Sequence, residues 1–141
     1  MKKLLSVMGS LVLSLVVLFG FSESVSAAVS RHPFETDGPA RNEDNIIYAS
    51  SGQTIKVRIN WCANVNWSNY HATAMPVYRC GPALSVKLYN TSTGNYTSPK
   101  VIGTDGTVTF TNMRKGNYYV YFSDSWSNYF FRGENTASSY Y

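Results

Sequence analysis

The chain has little of what most chemistries need. It holds two histidines and eight carboxylates in 141 residues. No H-E-x-x-H, G-x-S-x-G or glycine-rich phosphate loop occurs. Nothing therefore nominates a nucleophile, a cofactor cradle or a catalytic metal, and the expectation is a non-catalytic protein without cofactor. Cysteine is scarce too: Cys62 and Cys80 are the only two. Two thiols cannot build a zinc site, and the nearby His71 lacks ligand-like spacing, so no metal site is expected. Charged residues make up only 14%, and no Lys/Arg cluster marks a nucleic-acid footprint. After residue 28 no apolar stripe of helical period is long enough for a helix, which excludes bundles and coiled coils.

What is present begins with an export signal. Met1-Lys2-Lys3 supplies a positive start, and an apolar stretch runs from Leu4 to Phe21. Ser22-Glu23-Ser24 is a polar exit, and Val25-Ser26-Ala27 is a small-residue site. This order predicts a signal peptide over 1–27, with cleavage after Ala27 or Ala28 and a secreted, extracellular product. The competing assignment is an uncleaved span, because the run approaches the ~18 residues a membrane helix needs. The small-residue exit and the lack of a basic stop-transfer cluster favour cleavage, leaving no transmembrane anchor. Cleavage leaves 114 residues carrying ten Lys+Arg and seven Asp+Glu, a net charge of +3. That length suffices for one domain with a core. In an exported chain the cysteine pair predicts a Cys62–Cys80 disulfide. The Met-Lys-Lys start and low cysteine count fit a bacterial source.

The exported part has the grammar of strands. Residues 28–45 are turn-rich and charged, and predict an extended N-terminal arm. Its acids, Glu35, Asp37, Glu43 and Asp44, could supply oxygens to calcium, but no calcium-loop spacing supports it and a solvated charged arm is the favoured reading. Thr54 to Trp61 alternates strictly, placing Ile55, Val57, Ile59 and Trp61 on one face. A less regular stretch follows from Ala63 to Pro82. Leu84, Val86 and Leu88 then alternate inward. Tyr96 to Ile102 reads as an edge strand because it contains Pro99. Asp105-Gly106 is a hairpin signal. Val108 and Phe110 face inward, as do Tyr118, Val120 and Phe122, with Tyr119 and Tyr121 on the opposite face. Tyr129 to Phe131 closes the series, and 135–141 reads as a polar, fraying tail. Short strands with regular turns predict an all-β domain over 46–134, a single Ig-like or jelly-roll-like β-sandwich with one disulfide.

Part of this pattern resembles known secreted modules. Leu84–Tyr89, Thr93-Gly94, Thr104–Phe110 and Lys115–Val120 together resemble the collagen-adhesin B-type repeat. With Ser51–Val57 added, residues 46–132 resemble the bacterial pre-peptidase C-terminal domain. Both resemblances imply an extracellular β-sandwich without catalytic activity. The first also implies a Lys–Asn crosslink, but alternation puts Lys56 and Lys87 on polar faces, where neither is a buried donor.

Aromatics carry the remaining signal. Trp, Tyr and Phe make up 15% of the chain, with 11 tyrosines. The tetrapeptide Trp-Ser-Asn-Tyr occurs twice, at Trp67–Tyr70 and at Trp126–Tyr129. Aromatic faces stack on the CH faces of sugars while Asn and Ser bond hydroxyls. Trp67, Tyr70, Trp126 and Tyr129 are therefore the candidate binding residues. The alternative is that they cover the core, as aromatics in sheets often do. The functional expectation is a binding or structural module whose partner is cell-wall polysaccharide or an extracellular protein, and not nucleic acid. A secreted antimicrobial, toxin or enzyme inhibitor is the alternative class.

Overall fold

A computed structural model describes residues 27–36 and 45–141. The export segment up to residue 26 and the arm acids Asp37, Glu43 and Asp44 lie outside the described residues. The strands are β1 (Val29–Glu35), β2 (Ile46–Ala49), β3 (Thr54–Asn66), β4 (Ala72–Met75), β5 (Leu84–Asn90), β6 (Asn95–Tyr96), β7 (Lys100–Val101), β8 (Thr107–Phe110), β9 (Gly116–Asp124) and β10 (Tyr129–Tyr140). A four-residue helix α1 (Val77–Cys80) and a 3-10 turn (Gly81–Ala83) separate β4 from β5. Among the described residues no helix is long and apolar enough to cross a membrane.

Two antiparallel sheets make an all-β sandwich. In sheet I the order is β1-β10-β3-β4, with β8 also pairing β3; in sheet II it is β2-β9-β5-β6, with β7 also pairing β5. The long strand of each sheet thus has one long neighbour and two short ones on its far side. Ile55, Val57, Ile59, Phe131 and Ala137 of sheet I face Ile47, Leu84, Val86, Leu88, Val120 and Phe122 of sheet II, all buried. The alternation read from the sequence over Ile55–Ile59, Leu84–Leu88 and Tyr118–Phe122 is the alternation of this core.

The disulfide joins Cys62 of β3 to Cys80 at the end of α1, with Cα atoms 6.6 Å apart. Both cysteines are buried. The bridge therefore anchors β4 and α1 to the sheet rather than crossing open solvent.

Six expectations need correction. First, the arm is not a free lead-in. Val29–Glu35 pairs along its whole length with β10, from Val29 opposite Ser138 to Glu35 opposite Arg132. Pro33 is tolerated because β1 is an edge strand, and Phe34 is buried against Phe122 with ring centroids 4.2 Å apart. Second, the tail is not an overhang. β10 continues through Tyr140, whose partner is Thr54, and buries Ala137 and Ser139.

Third, Trp61 does not share the core face of Ile55, Val57 and Ile59. Glu134 lies opposite Trp61 and Asn135 opposite Ile59, which leaves Asn60 without a cross-strand partner. This bulge shifts the alternation by one residue. Trp61 becomes 50% exposed and Cys62 turns inward. The Asn60 amide holds the bulge, donating to Glu134 Oε1 at 3.0 Å and Thr136 Oγ1 at 2.9 Å. Gly133 sits opposite Cys62. A methyl there would collide with the Trp61 carbonyl and approach the Phe34 ring to 2.8 Å.

Fourth, Asp105-Gly106 does not turn a hairpin. Its flanking strands belong to different sheets, β7 pairing β5 and β8 pairing β3. The tight turn carries the chain across the sandwich, with the Gly106 N–H donating to the Gly103 carbonyl at 2.9 Å. Gly106 has φ +75°, and a side chain there would strike Val77. Fifth, the stretch from Ala63 onward is regular. β3 runs on to Asn66 and pairs with β4. Sixth, the strand expected over 96–102 is instead split around Pro99 into β6 and β7.

Candidate functional site

Two turns meet at one end of sheet I. The first, between β3 and β4, carries Trp67–Tyr70. Asn66 ends β3 and organises this turn: its Oδ1 accepts the Ser68 N–H at 2.8 Å and the Ser68 hydroxyl at 2.6 Å. Such a side-chain-to-backbone bond two residues on is how Asn stabilises turns. Tyr70 is in the left-handed region at φ 55°, its N–H donating to the Asn66 carbonyl at 2.8 Å.

The second turn, between β9 and β10, carries Trp126–Tyr129. Asp124 plays the role of Asn66: its Oδ1 accepts the Trp126 N–H at 2.8 Å. The Thr36 hydroxyl donates to the other oxygen of Asp124 and accepts the Phe131 N–H at 2.9 Å. β1 is thus tied to this turn. The two turns are joined directly, with the Trp67 N–H donating to the Asn128 carbonyl at 3.2 Å and Tyr129 opposite Asn66 in the ladder.

The two Trp-Ser-Asn-Tyr copies, 59 residues apart in the chain, therefore line one feature. A cleft of about 420 Å³ is walled by Asn66, Trp67 and Ser68 from the first turn and Ser127, Asn128 and Tyr129 from the second. Each copy has the same internal geometry. Trp67 meets Tyr70 edge-on at 6.3 Å and 78°, and Trp126 meets Tyr129 edge-on at 5.7 Å and 75°.

The four candidate residues are not equivalent. Trp67 packs on Phe130 with centroids 4.5 Å apart, whereas Trp126 packs on Phe131 at 5.1 Å. Successive residues of a strand point to opposite faces, so the two indoles flank β10 from opposite sides and form no flat platform. Trp67 and Tyr129 are the two aromatic residues that line the cleft. Tyr70, 68% exposed, stands at the edge of Trp67, and Trp126 braces Tyr129 from behind. Trp126 covers the core residue Phe131, and Trp67 covers Phe130, which is buried outside the core cluster, so covering and binding are not exclusive here. Ser127 and Asn128 both line the cleft, and the Ser127 hydroxyl and Asn128 side-chain amide make no internal hydrogen bond among the described residues.

Among the described residues, those lining the cleft are all uncharged. The carboxylates with shifted ionisation lie elsewhere. Glu134 is held below its ordinary range by hydrogen bonds from Arg31 and Asn60, and Arg31, whose guanidinium lies 2.7 Å away, is raised by the same pairing. Asp105 is lowered by the Thr107 hydroxyl and backbone N–H. Among the described residues no group of three or more His, Cys, Asp or Glu could hold a metal ion.

A second aromatic grouping emerges only from the fold. Tyr89, Tyr96, Tyr119 and Tyr121 lie on β5, β6 and β9 and touch one another on sheet II. The outward alternation of Tyr119 and Tyr121 was visible, but the register that brings Tyr89 and Tyr96 beside them was not. Comparison with protein-family models and with curated proteins gave no match to this chain.

Proposed function

We propose that the protein is an exported, non-catalytic binding module whose end cleft takes a neutral saccharide of the cell envelope or its surroundings. One observation carries this reading: the two Trp-Ser-Asn-Tyr copies converge on a single cleft, lined by one aromatic residue of each copy together with Ser and Asn residues of both turns. Sugars offer alternating apolar CH faces and hydroxyls, and such a cleft offers rings beside unspent amide and hydroxyl groups. The disulfide fits an oxidising, extracellular setting.

Sedimentation with insoluble wall material and with neutral polysaccharide tests the proposal. Trp67→Ala should abolish retention, because Trp67 is a cleft wall. Trp126→Ala should weaken it several-fold through loss of the brace on Tyr129. Wild-type protein that stays in the supernatant with every glycan but forms a tight complex with a secreted enzyme or inhibits neighbouring cells would replace this function with the effector class.

A further inference from the structure

The outer face of sheet II is a continuous tyrosine surface. Tyr89 lies opposite both Tyr119 and Tyr96 in the ladders, and Lys87 opposite Tyr121. The Tyr89 and Tyr119 rings are parallel within 1° at 6.2 Å. Tyr89–Tyr96, Tyr96–Tyr121 and Tyr119–Tyr121 close the circuit at 4.8, 5.8 and 6.5 Å. Lys87 Nζ stands 4.4 Å from the Tyr96 ring centroid and 6.0 Å from that of Tyr121. The lysine is therefore held over the surface by cation–π attraction rather than by a carboxylate.

Tyr96 also belongs to a pocket of about 400 Å³ at the adjoining end of the sheet, whose lining includes Asn90, Asn95, Thr97, Asn112 and Arg114. Asn90 is 4% exposed. Its Oδ1 accepts the N–H groups of Ser92 and Thr93, while its Nδ2 has no acceptor among the described residues. A buried donor left unpaired is costly, and sites that bind polar ligands are where such donors occur.

Charge decides the ligand class. The described carboxylates are Glu35 on β1, Glu134 on β10, Asp124 bonded to Thr36, and Asp105 bonded to Thr107. None of these lies on the outer face of sheet II or lines the pocket; Lys87 stands on that face over Tyr96, and Arg114 is the charged residue among those lining the pocket. Rings for stacking, amides and hydroxyls for sugar oxygens, and two cations with no counter-charge among the described residues are complementary to an acidic sugar chain. We propose that this tyrosine surface and its pocket bind an anionic polysaccharide through its uronic carboxylates. In the β5–β9 register, Asn90 and Tyr118 lie at the pocket while Leu84 and Asp124 lie toward the Trp-Ser-Asn-Tyr cleft. Six strand residues, about 20 Å, separate the two ends. The two sites are distinct, and this proposal does not rest on the function given to the cleft.

Calorimetric titration of the purified protein with oligogalacturonate tests it, with fully methyl-esterified oligogalacturonate as the matched neutral probe. The acid form should bind at least about tenfold tighter than the ester, equivalent to 1.4 kcal/mol, and binding should weaken with salt. Tyr96→Ala, Lys87→Gln and Arg114→Gln should each weaken it about as much. Tyr96→Phe should retain it, and Trp67→Ala should leave it unchanged. These are exposed positions, so folding is preserved, and circular dichroism checks that. Equal affinity for acid and ester, absence of binding, insensitivity to the three substitutions, or tighter binding of oligo-dT than of oligogalacturonate would each overturn the proposal.

Discussion

Phe34→Ala asks whether β1 is part of the folded unit or a loosely attached arm. Phe34 is 2% exposed and stacks on Phe122 at 4.2 Å with an 18° tilt, so its ring bridges the two sheets. Truncating a buried phenylalanine to alanine costs about 3–5 kcal/mol, including the cavity. The Gly133 backbone lies directly against the ring, and a strand ladder cannot easily collapse into the gap, so the upper half of that range is expected. Domains of this size have only about 5–15 kcal/mol in total. With a urea slope of about 1.5 kcal/mol/M, the midpoint should fall by roughly 3 M. Equilibrium urea unfolding followed by tryptophan fluorescence and circular dichroism measures it. Adding Phe122→Ala should cost less than the sum of the single losses, because the ring pair itself contributes about 0.5–1.5 kcal/mol. A loss below about 1 kcal/mol for Phe34→Ala, the range of a surface substitution, would mean that residues 29–35 are an arm after all.

Removing the bridge with Cys62→Ser and Cys80→Ser should cost roughly 3 kcal/mol, the loop entropy of the 19 residues it closes, as a lowered urea midpoint. Gly133→Ala should destabilise by about 1–3 kcal/mol through overpacking against Phe34 and the Trp61 carbonyl, read as a lowered melting temperature. Acid should also weaken the fold. Glu134 and Asp105 have folded-state ionisation below the usual carboxylate range. Their contribution is therefore complete above the unfolded values near pH 4 and is lost as pH falls through the lower folded values. Glu134→Gln and Asp105→Asn together should flatten the stability profile below about pH 4, and an unchanged slope would contradict the assigned bonds.

Local rules were legible where one strand alone decides the outcome. Ile55, Val57 and Ile59, then Leu84, Val86 and Leu88, alternate in the sequence because each faces the opposing sheet. Legibility stopped where a second strand intervenes. The bulge at Asn60 exists because Glu134 and Thr136 of β10 take its amide, and nothing near Asn60 in the chain announces partners more than seventy residues away. For that reason alone, simple alternation puts Trp61 on the wrong face. Val29–Glu35 carries Pro33 and charges, which locally favour a loop, but pairing with β10 and burial of Phe34 override them. Asp105-Gly106 has the composition of a hairpin turn, and composition cannot say that its flanks join different sheets. The repeated tetrapeptide was visible as a repeat, whereas its convergence on one cleft is a property of the β3–β10 register. The four tyrosines of sheet II, spread from 89 to 121, became a surface only through pairing.

The claim that the end cleft is a saccharide site is tested most directly by following the indole N–H resonances of the three tryptophans during titration with neutral wall-derived oligosaccharide. Trp67 should shift in step with the backbone amides of Ser127 and Asn128, and Trp126 should shift less. Trp61, exposed on the sheet but remote from the cleft, should not move. Saturable shifts at Trp61 with Trp67 unmoved, or no shift at any of the three, would contradict the account.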